Sequence, residues 1–487
     1  MTGFAAPRRA HSVPVPTQLL AAMLILTCAT VSAGALVVMG FWALLLPVYA
    51  AAGLAAIVRP KETALVALAA GIMFEAGAFD FTSPISSALY RLPPGWENAF
   101  ALTTSPLEVV AFIVAVSLTI QGIANGERLP QLPRIAWAVP VVMFMGLAYG
   151  LVKGAPANLA YTEMRGFFAG VVMFVIVARL APKHLGAIVR TTMGSTFCLA
   201  VLVLLRYAFY TRGGNLSVPP EFQFAHENSV ILGIGFLLGA AAIVDRKTLK
   251  SAFWFGLYCA VIFLAMIATG RRAATLVLLI GGLSMGALLL PRRPLLVIAV
   301  GIPVMIAGVG YLGVYWNREY GALAQPARAI RSEFDPTLRD ESSDTYRQTE
   351  RYDVIETIRL NRVFGVGFGR PFIQFQPLPN LGSFWPLQTY TPHQSVLWLW
   401  LKMGWFGISV FLGFWIVVLK RCLERMRTPG IDDRQWLAGA AAFSSALMFL
   451  TYATVDLAMV SQRHIAAIAI VAAIAMTFPR VQEQRDD

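Results

Sequence analysis

The run from Gln18 to Val58 carries no charged residue. One bilayer crossing takes about 20 apolar residues, so this run is too long for a single span and divides near Gly40 into two. It does not read as a secretory signal, because its apolar part is too long and the chain turns straight back. Apolar runs of spanning length recur to the end of the chain. Of its 487 residues 57% are hydrophobic and only 13% are charged, against about 25% charged in a soluble domain. The expectation is an all-α integral membrane protein. The four cysteines, Cys28, Cys198, Cys259 and Cys422, are scattered and show neither a CxxC spacing nor a disulfide framework. No internal repeat or low-complexity linker divides the chain.

A formal net charge of +13 would suggest nucleic acid as the partner of a soluble protein. Here it reads as Lys and Arg held in cytoplasmic loops, and no nucleic acid is expected. Basic clusters mark alternate junctions between apolar runs: Arg59 and Lys61, Arg128 and Arg134, Arg179 with Lys183 and Arg190, Arg246 with Lys247 and Lys250, Arg292 and Arg293, then Lys420 to Arg427. These marks predict about 14 transmembrane helices with both termini cytoplasmic. Residues 1–17 form the cytoplasmic N-terminus, 18–314 the first set of spans, 315–392 one large extracytoplasmic loop, 393–479 the last spans and 480–487 the cytoplasmic C-terminus. Within this scheme a span covers 62–79, an external loop covers 80–105, a basic loop lies at 179–190, and a long helix runs from His393 to Leu419.

The large loop and its borders hold the residues suited to chemistry. Arg271 and Arg272 break the charge rule by standing at the outer end of a span, directly after Thr269-Gly270. Such arginines can snorkel, or they can hold an anion, since the guanidinium is a planar fork that stays charged. The helix that starts beside them points its N-terminus at the same surface, which favours negative charge. Arg347 and Arg351 are one helical turn apart and share a face, and Tyr346, Tyr352, Val354, Ile355 and Ile358 around them suit an amphipathic helix resting on the membrane surface. The bland reading of that pair is a solvated helix face. His393, one of five histidines, stands at the loop's rim, where an imidazole with an ordinary pKa near 6.5 can accept a proton. A lone histidine at a helix start is more often structural. Gly365-Val366-Gly367-Phe368-Gly369 lacks the strand–helix setting of a dinucleotide loop and reads as a tight turn. Glu163 and Arg165 are intramembrane charges, suspects by default, and could pair with each other. Arg206 is a further candidate of the same kind. Asp335, Asp340, Glu341 and Asp344 are spaced for a solvated loop, so no metal site is expected.

Three patterns together resemble the O-antigen ligase and O-antigen polymerase superfamily of bacterial membrane glycosyltransferases. Arg272-Ala273-Ala274-Thr275-Leu276 is similar to the family's R-x3-L, and His393 followed by ten residues and Gly404 to its H-x10-G. Arg347 stands upstream of Phe364-Gly365-Val366-Gly367 as the family's loop arginine stands before its PLxGVG-like turn, although Arg362-Val363 replaces the proline here and Gln394 stands where Asn is usual. The clear match runs over roughly 226–415, and the N-terminal third matches only in being a set of spans. The resemblance implies a GT-C-like helical bundle in the bacterial cytoplasmic membrane, with the site facing outward. It implies a glycan donor linked to undecaprenyl pyrophosphate and a glycan, lipid or protein acceptor. Arg272 and Arg347 would then bind the pyrophosphate, with Arg271, Arg351 and Arg165 as further candidates. His393 would deprotonate or position the acceptor hydroxyl. Neither metal nor cofactor is implied.

A ligase and a polymerase differ in the acceptor, and these motifs do not separate them. A lipid-linked oligosaccharide transporter is a second class, but it would show two-fold repeats and broken helices near the midplane. A non-catalytic envelope subunit is a third, and it would tolerate loss of Arg272 or His393.

Overall fold

The computed structural model describes residues 45–75, 82–91, 104–127, 132–211, 224–245, 248–318, 322–332, 334–336, 338–381 and 387–477. These hold fifteen α-helices and no strand. The expected hairpin around Gly40, and the basic residues Arg8, Arg9, Arg128, Arg246 and Lys247, lie outside the described residues.

In chain order the helices are α1 (Leu46–Val58), α2 (Pro60–Met73), α3 (Ser83–Tyr90), α4 (Pro106–Ala124), α5 (Arg134–Val152), α6 (Ala157–Thr211), α7 (Asn228–Asp245), α8 (Leu249–Ala268), α9 (Arg272–Leu289), α10 (Pro294–Tyr315), α11 (Gln325–Arg331), α12 (Leu338–Leu360), α13 (Ser395–Met426), α14 (Asp433–Val455) and α15 (Gln462–Thr477). Nine are long and apolar enough to cross a membrane, and α1 and α15 are shorter apolar helices. The chain is therefore an all-α, multi-pass membrane protein. Proline opens α1, α2, α4 and α10, where its missing N–H would have no partner in any case. α4 adds a capping box, with Ser105 and Glu108 each accepting from the other's backbone N–H.

Two of the expected boundaries change. The basic 179–190 segment is helical, and α6 is two helices meeting at His184, whose φ of −132° leaves the helical region just after Pro182. The expected external loop 80–105 contains the short α3.

α7, α14 and α15 lie at the centre, with most of their residues buried, whereas α10 buries none. Small residues allow this approach, as is usual between helices in lipid. A Cβ on Gly166 would meet the Val460 carbonyl, and one on Gly170 would run into Ile465 at the start of α15. Polar groups sort to the two ends of the bundle. At one end Arg293 pairs with Asp433 at 2.8 Å and Arg434 with Asp245 at 3.1 Å. At the other, where α7, α9, α13 and α15 begin, lie the described parts of the 316–394 segment and the buried charges described below.

The glycine turn is a wedge between α5 and α13. Gly365, Gly367 and Gly369 all have positive φ, open to glycine at little cost. α13 breaks at Gly404, with φ 63° and ψ −160°. The break frees the carbonyls of Leu401 and Lys402, which accept from the N–H groups of Val366 (2.7 Å) and Gly367 (3.1 Å). Phe368 N–H donates to Gly146 of α5 at 3.2 Å, and the Phe368 ring is fully buried. Gly404→Ala should be costly for two reasons. Its backbone region is essentially reserved for glycine, worth about 1–3 kcal/mol, and a Cβ would collide with the Val363 carbonyl. The expected result is a clear fall in the unfolding temperature of the purified protein in detergent. An unchanged value would mean that the break is not needed.

Candidate active site

α12 carries Arg347, Glu350 and Arg351 within one turn, so one short stretch offers two cations and an anion to the same neighbourhood. What aims it is the packing of its following turns. Val354 and Ile358 bury against Phe372 and Leu401. Asp353 accepts from the N–H groups of Phe375 and Gln376, each at 3.0 Å, and Thr357 Oγ1 accepts from Ile373 N–H at 2.9 Å. The apolar face expected to rest on the membrane surface thus meets the start of α13 and the 370–378 segment instead, and only Tyr352 of that set is strongly exposed.

Glu350, 2% exposed, is the partner of His393. Its Oε2 accepts from His393 N–H at 2.8 Å and lies 3.0 Å from Nδ1. The carboxylate fixes both the backbone and the ring, and Nε2 is the nitrogen not bonded to it. The Tyr346 ring stands edge-on to the imidazole at 5.7 Å, and its hydroxyl accepts from Gln388 Nε2 at 3.2 Å. Burial, with the Glu350 charge added, pushes the Tyr346 phenol up to about 12, so it stays protonated. Arg347, Arg351, Glu350, Pro392, His393 and Val455 line one cleft. Both arginines are exposed.

Val455 brings in the other wall. Ser395, two residues after His393, donates to the Asp456 carbonyl at 2.9 Å and accepts from Ala458 N–H at 2.7 Å. Asp456 is buried and accepts from Tyr452 OH at 3.1 Å and Leu457 N–H at 2.7 Å, and its Oδ2 lies 3.2 Å from His226 Nδ1. Burial alone would raise the Asp456 carboxyl, but His226, the Leu457 N–H and the charge of Arg347 hold it well below the usual carboxylate range. Arg271, just before α9, reaches His226 with one Nη and donates to the Phe224 carbonyl with the other. Arg272 is the first residue of α9 and is half-buried.

Arg165 is not among these residues. It pairs with Glu108 of α4 at 2.8 Å, and the expected Glu163–Arg165 pair does not form. Glu163 instead meets Lys402 of α13 at 2.9 Å, both side chains being fully buried. Arg206 is closed by Glu75 at 2.7 Å and by the Thr82 hydroxyl. Among the described residues no three His, Cys, Asp or Glu side chains gather as a metal site.

The fold and this rim define a multi-pass helical membrane protein that gathers buried charges at one end of the bundle. Residues 257–412 match the family model described as Wzy_C, O-Antigen ligase. This supports membership of the O-antigen ligase and polymerase superfamily, whose proteins take lipid-linked glycan and acceptor substrates. The matched segment includes Arg271, Arg272, Arg347, Glu350, Arg351, His393 and Gly404. No curated protein matches the chain.

Proposed function

We propose that the protein is an O-antigen ligase-like glycosyltransferase. It would move a glycan from an undecaprenyl-pyrophosphate carrier to an acceptor hydroxyl at the outer face of the cytoplasmic membrane. The observation that carries this reading is His393, gripped by Glu350 in the same cleft as Arg347 and Arg351. The acceptor oxygen attacks the anomeric carbon, the bond from that carbon to the phosphate oxygen breaks, and the acceptor proton passes to His393 Nε2. The departing lipid diphosphate takes the bonding electron pair. Its growing charge needs cations placed to meet it, and Arg347, Arg351 and Arg271 supply them. A carboxylate on Nδ1 sets the tautomer that leaves Nε2 able to accept.

The test is complementation of a strain lacking the gene, with surface glycan read on gels at matched protein levels. His393→Ala and Arg347→Ala should each abolish the glycan, while carrier-linked chains accumulate and bare acceptor remains. Arg434→Ala, at the far end of the bundle, should behave as wild type. Normal glycan in both site variants refutes the reading. Single unpolymerised repeats on the acceptor would instead mark a polymerase.

A further inference from the structure

We propose that His226 and Asp456 form a second carboxylate–imidazole pair, whose task is to position Arg271 for the diphosphate of the donor. This rests on the reading of the rim as a diphosphate site and adds two positioning residues to it.

The three residues come from separate elements. His226 lies in the turn before α7, Asp456 ends α14, and Arg271 caps α9. Asp456 is the fixed point, being 4% exposed and held by Tyr452 OH and Leu457 N–H. Its remaining contact is His226 Nδ1. Asp456 Oδ2 lies 3.2 Å from His226 Nδ1, and Arg271 Nη1 lies 2.8 Å from Nδ1 and 3.1 Å from Nε2, so the guanidinium rests against the ring between its two nitrogens. Arg271 Nη2 donates to the Phe224 carbonyl at 2.5 Å. Both nitrogens of the guanidinium fork are therefore held by the 224–226 segment. Arginine keeps its charge in any case, so what the imidazole adds is direction.

The position of this chain decides its use. Ser395 ties the Asp456 backbone to the start of α13 beside His393, and the charge of Arg347 reaches the same carboxylate. Asp456 thereby sets Arg271 relative to both Arg347 and the base. A diphosphate spans two charged groups, and cations supplied from α9 and α12 would hold it only if their spacing is kept. Pre-organised cations bind better than ones that must be ordered on binding.

The experiment is titration of inorganic pyrophosphate into the full-length protein in lipid nanodiscs. His226→Leu should weaken binding about tenfold, the scale of one hydrogen bond to a charged group. His226→Gln should keep most of the affinity, because its amide can donate to Asp456 and accept from Arg271. Asp456→Asn keeps the packing but removes the charge that holds the imidazole in place against Arg271. It should therefore match His226→Leu. Arg271→Ala combined with His226→Leu should bind no more weakly than Arg271→Ala alone, since the imidazole acts through the guanidinium. Additive losses, or His226→Leu and Asp456→Asn variants that bind as wild type does, overturn the inference while leaving the cleft reading intact. A wild-type protein that binds no pyrophosphate overturns both.

Discussion

Glu350→Gln should cut glycan transfer by up to about 10⁴-fold, the loss seen when the carboxylate partner of a catalytic histidine is neutralised. The glutamine keeps the volume and can still accept from the His393 backbone N–H. What it loses is the charge on Nδ1. An amide rotated to present its N–H₂ to Nδ1 favours the tautomer with the proton on Nε2, the nitrogen assigned to take the acceptor's proton. The loss should fall on kcat rather than on donor KM, because Arg347 and Arg351 remain in the cleft. Glu350→Ala should lose as much or more, since it also removes the acceptor for the backbone N–H at 2.8 Å. The measurement is turnover of a lipid-linked donor by the purified protein, with circular dichroism to verify the helical content. A Glu350→Gln protein within threefold of wild type would mean that His393 needs no carboxylate, and the role assigned to Glu350 would fall.

The spans and the motif-bearing borders of the large loop were legible because both are local. A run of apolar residues betrays a membrane helix without knowledge of its neighbours, and His393 stands two residues before the helix that carries Gly404. The meaning of that spacing was not legible. Gly404 serves as a break whose freed carbonyls receive the 366–367 turn, a contact across 35 positions or more. Glu350 was hidden in a different way. A glutamate between two arginines on one helix reads as local pairing, yet it turns to a histidine 43 positions away. Asp456 and His226 are 230 apart, and nothing in either neighbourhood announces the other. The expected Glu163–Arg165 pair was avoidable, because residues two apart on a helix do not face each other. Lys402 is a lone charge within an apolar run, and such a charge in a span is a functional or structural suspect.

That lysine carries the largest stability effect expected in the molecule. Lys402 and Glu163 are both 0% exposed and 2.9 Å apart. Glu163 also accepts from Gly369 N–H at 2.5 Å and Trp398 Nε1 at 3.4 Å, and Lys402 donates to the Arg370 carbonyl at 2.5 Å. The Tyr390 ring faces the ammonium at 5.6 Å. The pair thus ties α6, α13 and the glycine turn at one point. Removing one partner leaves a buried charge without its counterpart, which costs about 3–5 kcal/mol. Lys402→Met should therefore lower the unfolding temperature sharply or prevent accumulation in the membrane, and Glu163→Gln should do the same less severely because its amide still accepts from Gly369. Replacing both, as Lys402→Met with Glu163→Leu, removes the stranded charge and should recover a large part of the loss, since apolar substitutes for a buried pair are often neutral or better. Recovery should be incomplete, because the Gly369 N–H and the Arg370 carbonyl would still lose their partners, each an unsatisfied group costing about 1–3 kcal/mol. The cycle is measured as thermal unfolding of the four proteins in one detergent. If the double variant is no more stable than the worse single one, the pair is held by its hydrogen bonds to the turn rather than by its charges, and the electrostatic account of this tie is wrong.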